Sequence, residues 1–140
     1  MFKRVISYIL ITVMSLVLFA GCSPAEKDEN KAFSAPDFVD ECRILMPASK
    51  YGNMSRDEFA MKFTVTVFEQ FGKSDYYKNM TDKERIDALN GLGGVLKTYS
   101  YGGVDGGFID KFSVDSSAHE VTWHIKGDSE IESLWTMPGY

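Results

Sequence analysis

The side chains with the greatest chemical potential lie close together near the C-terminus. His119 and His124 are the two histidines of the chain, and Asp115 and Glu120 lie beside them. Imidazole and carboxylate groups can together bind a metal ion or transfer protons. Their spacing matches neither HExxH nor paired CxxC, and the polar–apolar alternation places His124 on the solvent side of a strand. The sequence therefore predicts no metal site and no cofactor, and it favours a protein that is not an enzyme.

Two other patterns that can carry chemistry have simpler explanations. The glycine runs GLGG, residues 91–94, and GGVDGG, residues 102–107, lack the Gly-Lys-Ser/Thr that completes a phosphate-binding loop. The carboxylates of Asp82 and Glu84 fall in the first turn of a predicted helix, where capping and the helix dipole account for them. Neither pattern predicts a catalytic site.

Six aromatic residues fall outside the clean core positions and form a candidate binding surface. Aromatic rings that are apolar at one end and polar at the other are frequent in protein interfaces. The alternative is that each ring covers the edge of a small core, as amphipathic side chains commonly do, and both interpretations stay open. The six are Tyr76, Tyr77, Tyr99, Tyr101, Trp135 and Tyr140.

The N-terminus has the layout of an export signal. Lys3 and Arg4 precede an uncharged and mostly apolar run, residues 5–20. The small residues Ala20 and Gly21 lie at the end of this run, just before Cys22. A basic start, a short apolar stretch and small residues at its end are typical of secretory signals. A transmembrane helix needs about 20 apolar residues to cross the hydrocarbon core, and this run is shorter.

Residues 18–22, Leu-Phe-Ala-Gly-Cys, resemble the lipobox of bacterial lipoprotein precursors. The resemblance implies cleavage before Cys22, attachment of a diacylglycerol to its thiol, acylation of the new amine with a chain such as palmitate, and a membrane-anchored lipoprotein of the cell envelope. Ser23 stands where an aspartate would signal retention, which implies the outer membrane facing the periplasm in a Gram-negative cell. In a Gram-positive cell it implies the outer face of the plasma membrane.

The resemblance at residues 1–22 and the polar composition of residues 23–35 together divide the chain into three parts. Residues 1–21 are a lipoprotein signal peptide, residues 22–35 a lipidated flexible tether, and residues 36–140 a single small α+β domain.

The 20 acidic residues outnumber the 15 basic ones, which argues against a nucleic-acid partner. Cys42 then has no second thiol in the chain, and we expect a buried small side chain rather than an exposed thiol awaiting a partner.

Three helices are predicted in the first two thirds of the domain. The first spans Pro36–Met46, since proline suits a first helical position and Pro47 stops the helix. The second spans Ser55–Phe71; its alternation also fits a strand, but the Ser55–Glu58 capping box and Gly72 favour a helix. The polar connection 73–80 leads to the third helix, which starts at Thr81, includes Leu92 and has an uncertain end. The middle of the chain faintly resembles small Gram-negative lipoproteins of unknown function, which implies no activity.

After the glycines of residues 102–107, the apolar period changes from helical to two. Three strands follow, with turns at residues 116–119 and 127–128. A three-stranded sheet is marginal alone and must be covered, so the order of elements predicts an α+β fold with about three helices on one face of a three-stranded antiparallel meander. The residues on the apolar side are Phe108, Phe112, Val114, Val121, Trp123, Ile125, Ile131, Trp135 and Met137.

Together these features favour a lipid-anchored, non-catalytic protein-binding module of the cell envelope. Its expected contacts are the membrane, through the acyl chains on Cys22, and another envelope or exported protein. Two alternatives stay open. One is a small envelope enzyme acting on cell-wall or lipid substrates, for which His124, Glu120 and Asp115 are the first residues to test. The other is a structural lipoprotein bound to peptidoglycan.

Overall fold

Polar caps decide where the helices of this protein begin. The computed structural model describes residues 32–127 and 132–140. The hydroxyl oxygen of Ser55 accepts a hydrogen bond from the backbone N–H of Glu58 at 3.2 Å, and Thr81 and Glu84 form a reciprocal capping box. The helix interpretation of residues 55–71 is confirmed and the alternative strand is wrong. The helices are α1 (Ala35–Cys42), α2 (Arg56–Lys73), α3 (Asp75–Asn79) and α4 (Asp82–Leu96).

Two helices end at residues other than the predicted ones. α2 continues through Gly72 to Lys73 rather than ending at Phe71, and Ser74 caps it. α1 ends at Cys42 rather than at Met46. The chain continues in tighter turns, in which the backbone N–H of Leu45 donates to the carbonyl of Cys42 at 3.0 Å. An α-helix cannot continue here because Pro47 has no N–H for the carbonyl of Arg43, four residues earlier, and its ring would clash with that carbonyl. α4 continues through Gly91, Gly93 and Gly94 to Leu96, which gives the end that the sequence left open.

The predicted connection 73–80 contains a helix of its own, α3, which gives the described chain four helices where about three were expected. Ser74 produces it by acting at both helix ends. Its hydroxyl donates to the carbonyl of Phe71 at 2.7 Å, at the end of α2, and accepts from the backbone N–H of Tyr77 at 3.2 Å. One serine therefore closes one helix and caps the next.

The C-terminal third forms the predicted three-stranded antiparallel sheet, and the protein is of the α+β class. Its strands are β1 (Ile109–Asp115), β2 (Glu120–Ile125) and β3 (Glu132–Thr136), in the order β1-β2-β3. Val121 at the centre of the sheet pairs with Val114 on one side and with Trp135 on the other. The apolar position expected at Ile131 lies outside the described residues.

A bulge in β1 changes which of its residues face the core. Lys111 has a φ of 50°, and the pairing with β2 shifts between Asp110 and Ser113. The extra residue lets Ile109 lie opposite Ile125 on the side that Val114 also faces. Ile109 is fully buried, a position that strict alternation from Phe112 and Val114 did not predict.

The core joins α2 to the sheet through stacked aromatic rings. Phe68 of α2 is fully buried and stacks on Phe112, Trp123 and Trp135, one ring from each strand, with centroids 5.9, 5.0 and 5.8 Å away. At the other end of the unit, the ring of Phe33 lies 5.2 Å from that of Tyr76. Packing therefore starts three residues before Pro36, and residues 33–140 form one compact unit.

Gly93 allows α4 to approach β1 closely. A Cβ atom at this position would lie only 2.3 Å from the ring of Phe112, whereas one at the adjacent Gly94 would have nothing within 4 Å. Neither glycine has a positive φ, so both sit in ordinary helical backbone. The two glycines have the same kind of backbone conformation, so they differ in the space available for the methyl group of an alanine.

We predict opposite effects for Gly93→Ala and Gly94→Ala on the free energy of unfolding. Gly93→Ala should lower it by about 1–3 kcal/mol, because the ring of Phe112 must shift from its stack on Phe68. Gly94→Ala should raise it by about 0.5–1 kcal/mol, since alanine favours the helix. Urea unfolding followed by tryptophan fluorescence measures both; two changes of the same sign would contradict the close approach of α4 to β1.

Candidate functional site

The four titratable residues near the C-terminus act as parts of turns and strands. The carboxylate of Asp115 accepts from the backbone N–H groups of Ala118 and Ser117, both at 3.0 Å, and from the Ser117 hydroxyl at 2.8 Å. These hydrogen bonds, led by that of Ala118, lower the pKa of Asp115. His119 has a φ of 57° and ends the turn. Among residues 32–127 and 132–140, no group of three or more His, Cys, Asp and Glu side chains is placed to hold a metal ion.

His124 and Glu120 lie along β2, away from this turn. His124 is half-buried and pairs across the sheet with Asp110 and Glu132, while Glu120 pairs with Asp115 and Thr136. The structure thus separates His119 from His124 along the strand, and within the part of the chain that the structure describes neither imidazole is hydrogen-bonded to a hydroxyl or a thiol. The arrangement provides no nucleophile–base pair among the described residues.

Tyr77 and Tyr140 hold the C-terminus onto the helices through Arg85. The Tyr77 hydroxyl donates to the carbonyl of Pro138 at 2.6 Å, and Arg85 lies over the Tyr77 ring at 4.0 Å. Burial raises the pKa of Tyr77. The Tyr140 hydroxyl accepts from Arg85 at 3.1 Å and donates to Asp82, and its ring stacks on His119 with centroids 3.7 Å apart.

Tyr99 and Tyr101 fix α1 and the chain that follows it. The hydroxyl of Tyr101 accepts from the backbone N–H of Ala48 and donates to the carbonyl of Met46, both at 2.9 Å. The hydroxyl of Tyr99 donates to Asp40. Burial, followed by this hydrogen bond, raises the pKa of Tyr99 to about 12. Both rings therefore anchor the first helix and its loop to the rest of the unit.

The six aromatic residues of the candidate binding surface therefore lie in separate places. Tyr76 packs edge-on against Phe33 and Phe38, and Trp135 stacks on Phe68. Only Tyr140 of the six is among the exposed large side chains, at 51% exposure. Their contacts are those of rings that cover the edges of a core, the alternative that the sequence left open.

A groove runs along α2, at a place that the sequence analysis did not propose. Its volume is about 650 Å³. Half-buried apolar side chains form its floor, with Leu45 and Tyr51 on the chain before α2 and Met61 and Val65 on the helix. Polar side chains form its rim, and they are Glu58, Lys62, Thr66, Glu69 and Gln70.

The wall of this groove opposite α2 is the loop after α1, and contacts with Thr66 and Tyr101 hold it in place. Met46 is 4% exposed, and its sulfur lies 3.7 Å from the hydroxyl of Thr66. The carbonyl of Met46 and the N–H of Ala48 both bind the hydroxyl of Tyr101, so the loop cannot easily move away from α2. The groove is therefore a preformed apolar cleft rather than a gap between mobile segments.

The sequence contained a signal for this groove. Phe59, Phe63 and Val67 form the stripe that α2 buries, yet Met61 and Val65 lie outside it at a spacing of four. These extra apolar residues are also what made residues 61–67 resemble an alternating strand. A helix that is apolar on two sides produces both patterns, and the second side of α2 faces the groove.

Cys42 lies beside this region but inside the core, as expected. Its side chain is 4% exposed, and among residues 32–127 and 132–140 it has no disulfide partner. Burial, and then the charge of Glu41, raises the pKa of its thiol to about 12, from an ordinary 9.0. The thiolate, which is the reactive form, is thus scarce at neutral pH.

We predict that Cys42 resists alkylation until the protein unfolds. In a chain carrying Cys22→Ser, Cys42 is the only thiol, and iodoacetamide at pH 8 should modify it at least about 100-fold more slowly than in urea. The control is Cys42→Ala combined with Ile44→Cys, which places a thiol at a position that is 64% exposed. Equal rates for the two native chains would show that Cys42 is accessible.

A scan against protein-family models, a search of curated proteins and a search of solved structures each found no match to this chain. Among the described residues, no helix combines the length and the apolar character needed to cross a membrane.

Proposed function

We propose that this protein is a lipid-anchored component of the cell envelope that binds another envelope or exported protein without catalysing a reaction. The observation that carries the proposal is the groove along α2, a preformed cleft with an apolar floor and a polar rim. Grooves lined by apolar side chains are the surfaces on which amphipathic protein segments dock. The separation of His119 from His124 along the strand supports a binding role over an enzymatic one.

The floor of the groove indicates what kind of partner fits. Methionine and leucine side chains are flexible and can repack around different apolar surfaces. The rim supplies carboxylates from Glu58 and Glu69, an amine from Lys62 and an amide from Gln70. We infer a partner segment with one apolar face, such as an amphipathic helix, whose polar edges meet this rim.

The anchor belongs to the same proposal and rests on the lipobox resemblance at Cys22. Acylation would attach the chain to the bilayer, since each buried methylene contributes about 0.8 kcal/mol. From Cys22 to Ala32 the chain has eleven residues, which span roughly 35–40 Å when extended. A domain on such a tether can meet partners near the membrane surface while remaining attached.

The proposal includes the finer arrangement expected from the sequence, in which the helices cover one face of the sheet. The stack of Phe68 on three strands and the approach of Gly93 to Phe112 support it. In this arrangement the groove lies on the side of α2 that does not face the sheet. Binding there would leave the core undisturbed.

We predict that Val65→Lys abolishes capture of the partner while Val95→Lys does not. Both valines are half-buried on helices, but only Val65 lines the groove. The full-length chain with a C-terminal tag is expressed in a bacterial host, and the proteins captured with it from detergent-extracted envelopes are identified by mass spectrometry. Val65→Lys should reduce the stoichiometric partner at least about tenfold, which corresponds to 1.4 kcal/mol.

Tryptophan fluorescence and urea unfolding establish that both variants are folded. Absence of any stoichiometric partner from the unaltered chain, or equal loss with both substitutions, would contradict the groove as the binding site.

A further inference from the structure

One edge of the sheet presents unpaired backbone groups. The backbone N–H of Met137 donates to the carbonyl of His119 at 2.8 Å, which makes these two residues a hydrogen-bonded pair. Such pairs alternate along an antiparallel ladder. Given the pairing of Val121 with Trp135, the N–H and C=O groups of every second residue of β3 point away from β2. These residues are Glu132, Leu134 and Thr136.

Within the described residues, these three backbone positions have no hydrogen-bond partner outside the sheet. The opposite edge of the sheet is different. The bulge at Lys111 interrupts β1, and the N–H of Phe108 just before it donates to the carbonyl of Leu96 at 2.8 Å. Bulges and covering segments are the usual means by which proteins prevent pairing at an edge. β3 carries no bulge or proline in its five residues.

The side chains of β3 also indicate that another strand could pair with this edge. Leu134 is 55% exposed and pairs with Thr122, so it lies on the sheet face opposite Trp135. An exposed leucine at the centre of an unprotected edge is the arrangement that invites another strand. Glu132 is the single charged residue of the strand.

We propose that β3 pairs with β3 of a second copy of this chain, antiparallel, about a two-fold axis at Leu134. Leu134 would lie opposite Leu134 of the second copy, and Glu132 opposite Thr136 of the second copy. Each copy contributes three N–H and three C=O groups, and this register satisfies all of them. The result is a continuous six-stranded sheet.

The strand itself favours a second copy over a foreign strand. In the two-fold register the same short sequence, Glu-Ser-Leu-Trp-Thr, meets itself with its leucines together and its carboxylates apart. No like charges face each other, which is the requirement that a self-paired interface must meet. A five-residue edge buries less surface than the about 1,200 Å² of small stable interfaces, so the dimer is reversible and depends on concentration.

The test introduces charged side chains at position 134, on the proposed two-fold axis. Full-length chains with two different C-terminal tags are expressed together, treated with an amine-reactive cross-linker in intact cells, and captured by one tag. The second tag should be recovered in a band of twice the monomer mass. Leu134→Arg in both chains, or Leu134→Glu in both chains, should each reduce this band about tenfold or more, because like charges then face each other.

Combining Leu134→Arg in one chain with Leu134→Glu in the other should restore the band, since opposite charges then meet at the axis. Ile44→Arg in both chains is the matched control; it removes another exposed aliphatic side chain, at 64% exposure, and should leave the band unchanged. Absence of the band in the unaltered chain would overturn the proposal. So would its persistence in the like-charged variants, or its failure to return in the oppositely charged combination.

Discussion

The stack of Phe68 on three rings of the sheet is the contact on which the rest of this structure depends. A three-stranded antiparallel sheet does not bury enough surface to be stable by itself. Phe68 contacts a ring from each strand, and both Phe68 and Trp123 are completely removed from solvent. One side chain of α2 therefore joins the helical part of the chain to all three strands at once.

Because α2 is fixed by Phe68 on one side, its other side can carry a groove of definite shape. Met61 and Val65 cannot turn into the core without displacing the aromatic stack. The loop that forms the opposite wall is fixed independently by the hydroxyl of Tyr101. Folding already orders the side chains and the backbone of this groove, so a partner that binds there would cause little further loss of conformational entropy, which favours binding.

Local signals in the sequence predicted the main elements, while features that depend on packing were not predicted. The Thr81–Glu84 capping box and the alternation around Trp123 are written into a few adjacent residues, and both appeared as expected. The bulge at Lys111 was missed, because a positive φ at a lysine has no local sequence signal and arises from the pairing of β1 with β2. The short helix α3 was missed because Ser74 caps a segment too short to show a period.

The candidate site illustrates the same limit. The tyrosines seemed available because they lie in loops and near the C-terminus, but residues distant in the chain, such as Pro138 for Tyr77 and Asp40 for Tyr99, occupy their hydroxyls. The groove was hidden for the converse reason. Met61 and Val65 lie outside the buried stripe of α2, but only the packing of the loop that carries Leu45 against the helix turns this second apolar side into a cleft.

The central claim is that this aromatic-cored domain functions at a membrane, attached through Cys22. Intact-mass spectrometry of the full-length chain, expressed in a bacterial host and extracted from its membranes, tests this most directly. We expect a mature chain that begins at Cys22 and carries the additional mass of its acyl chains. A chain that begins at Met1, with an unmodified Cys22 and recovered from the cytosol, would contradict it.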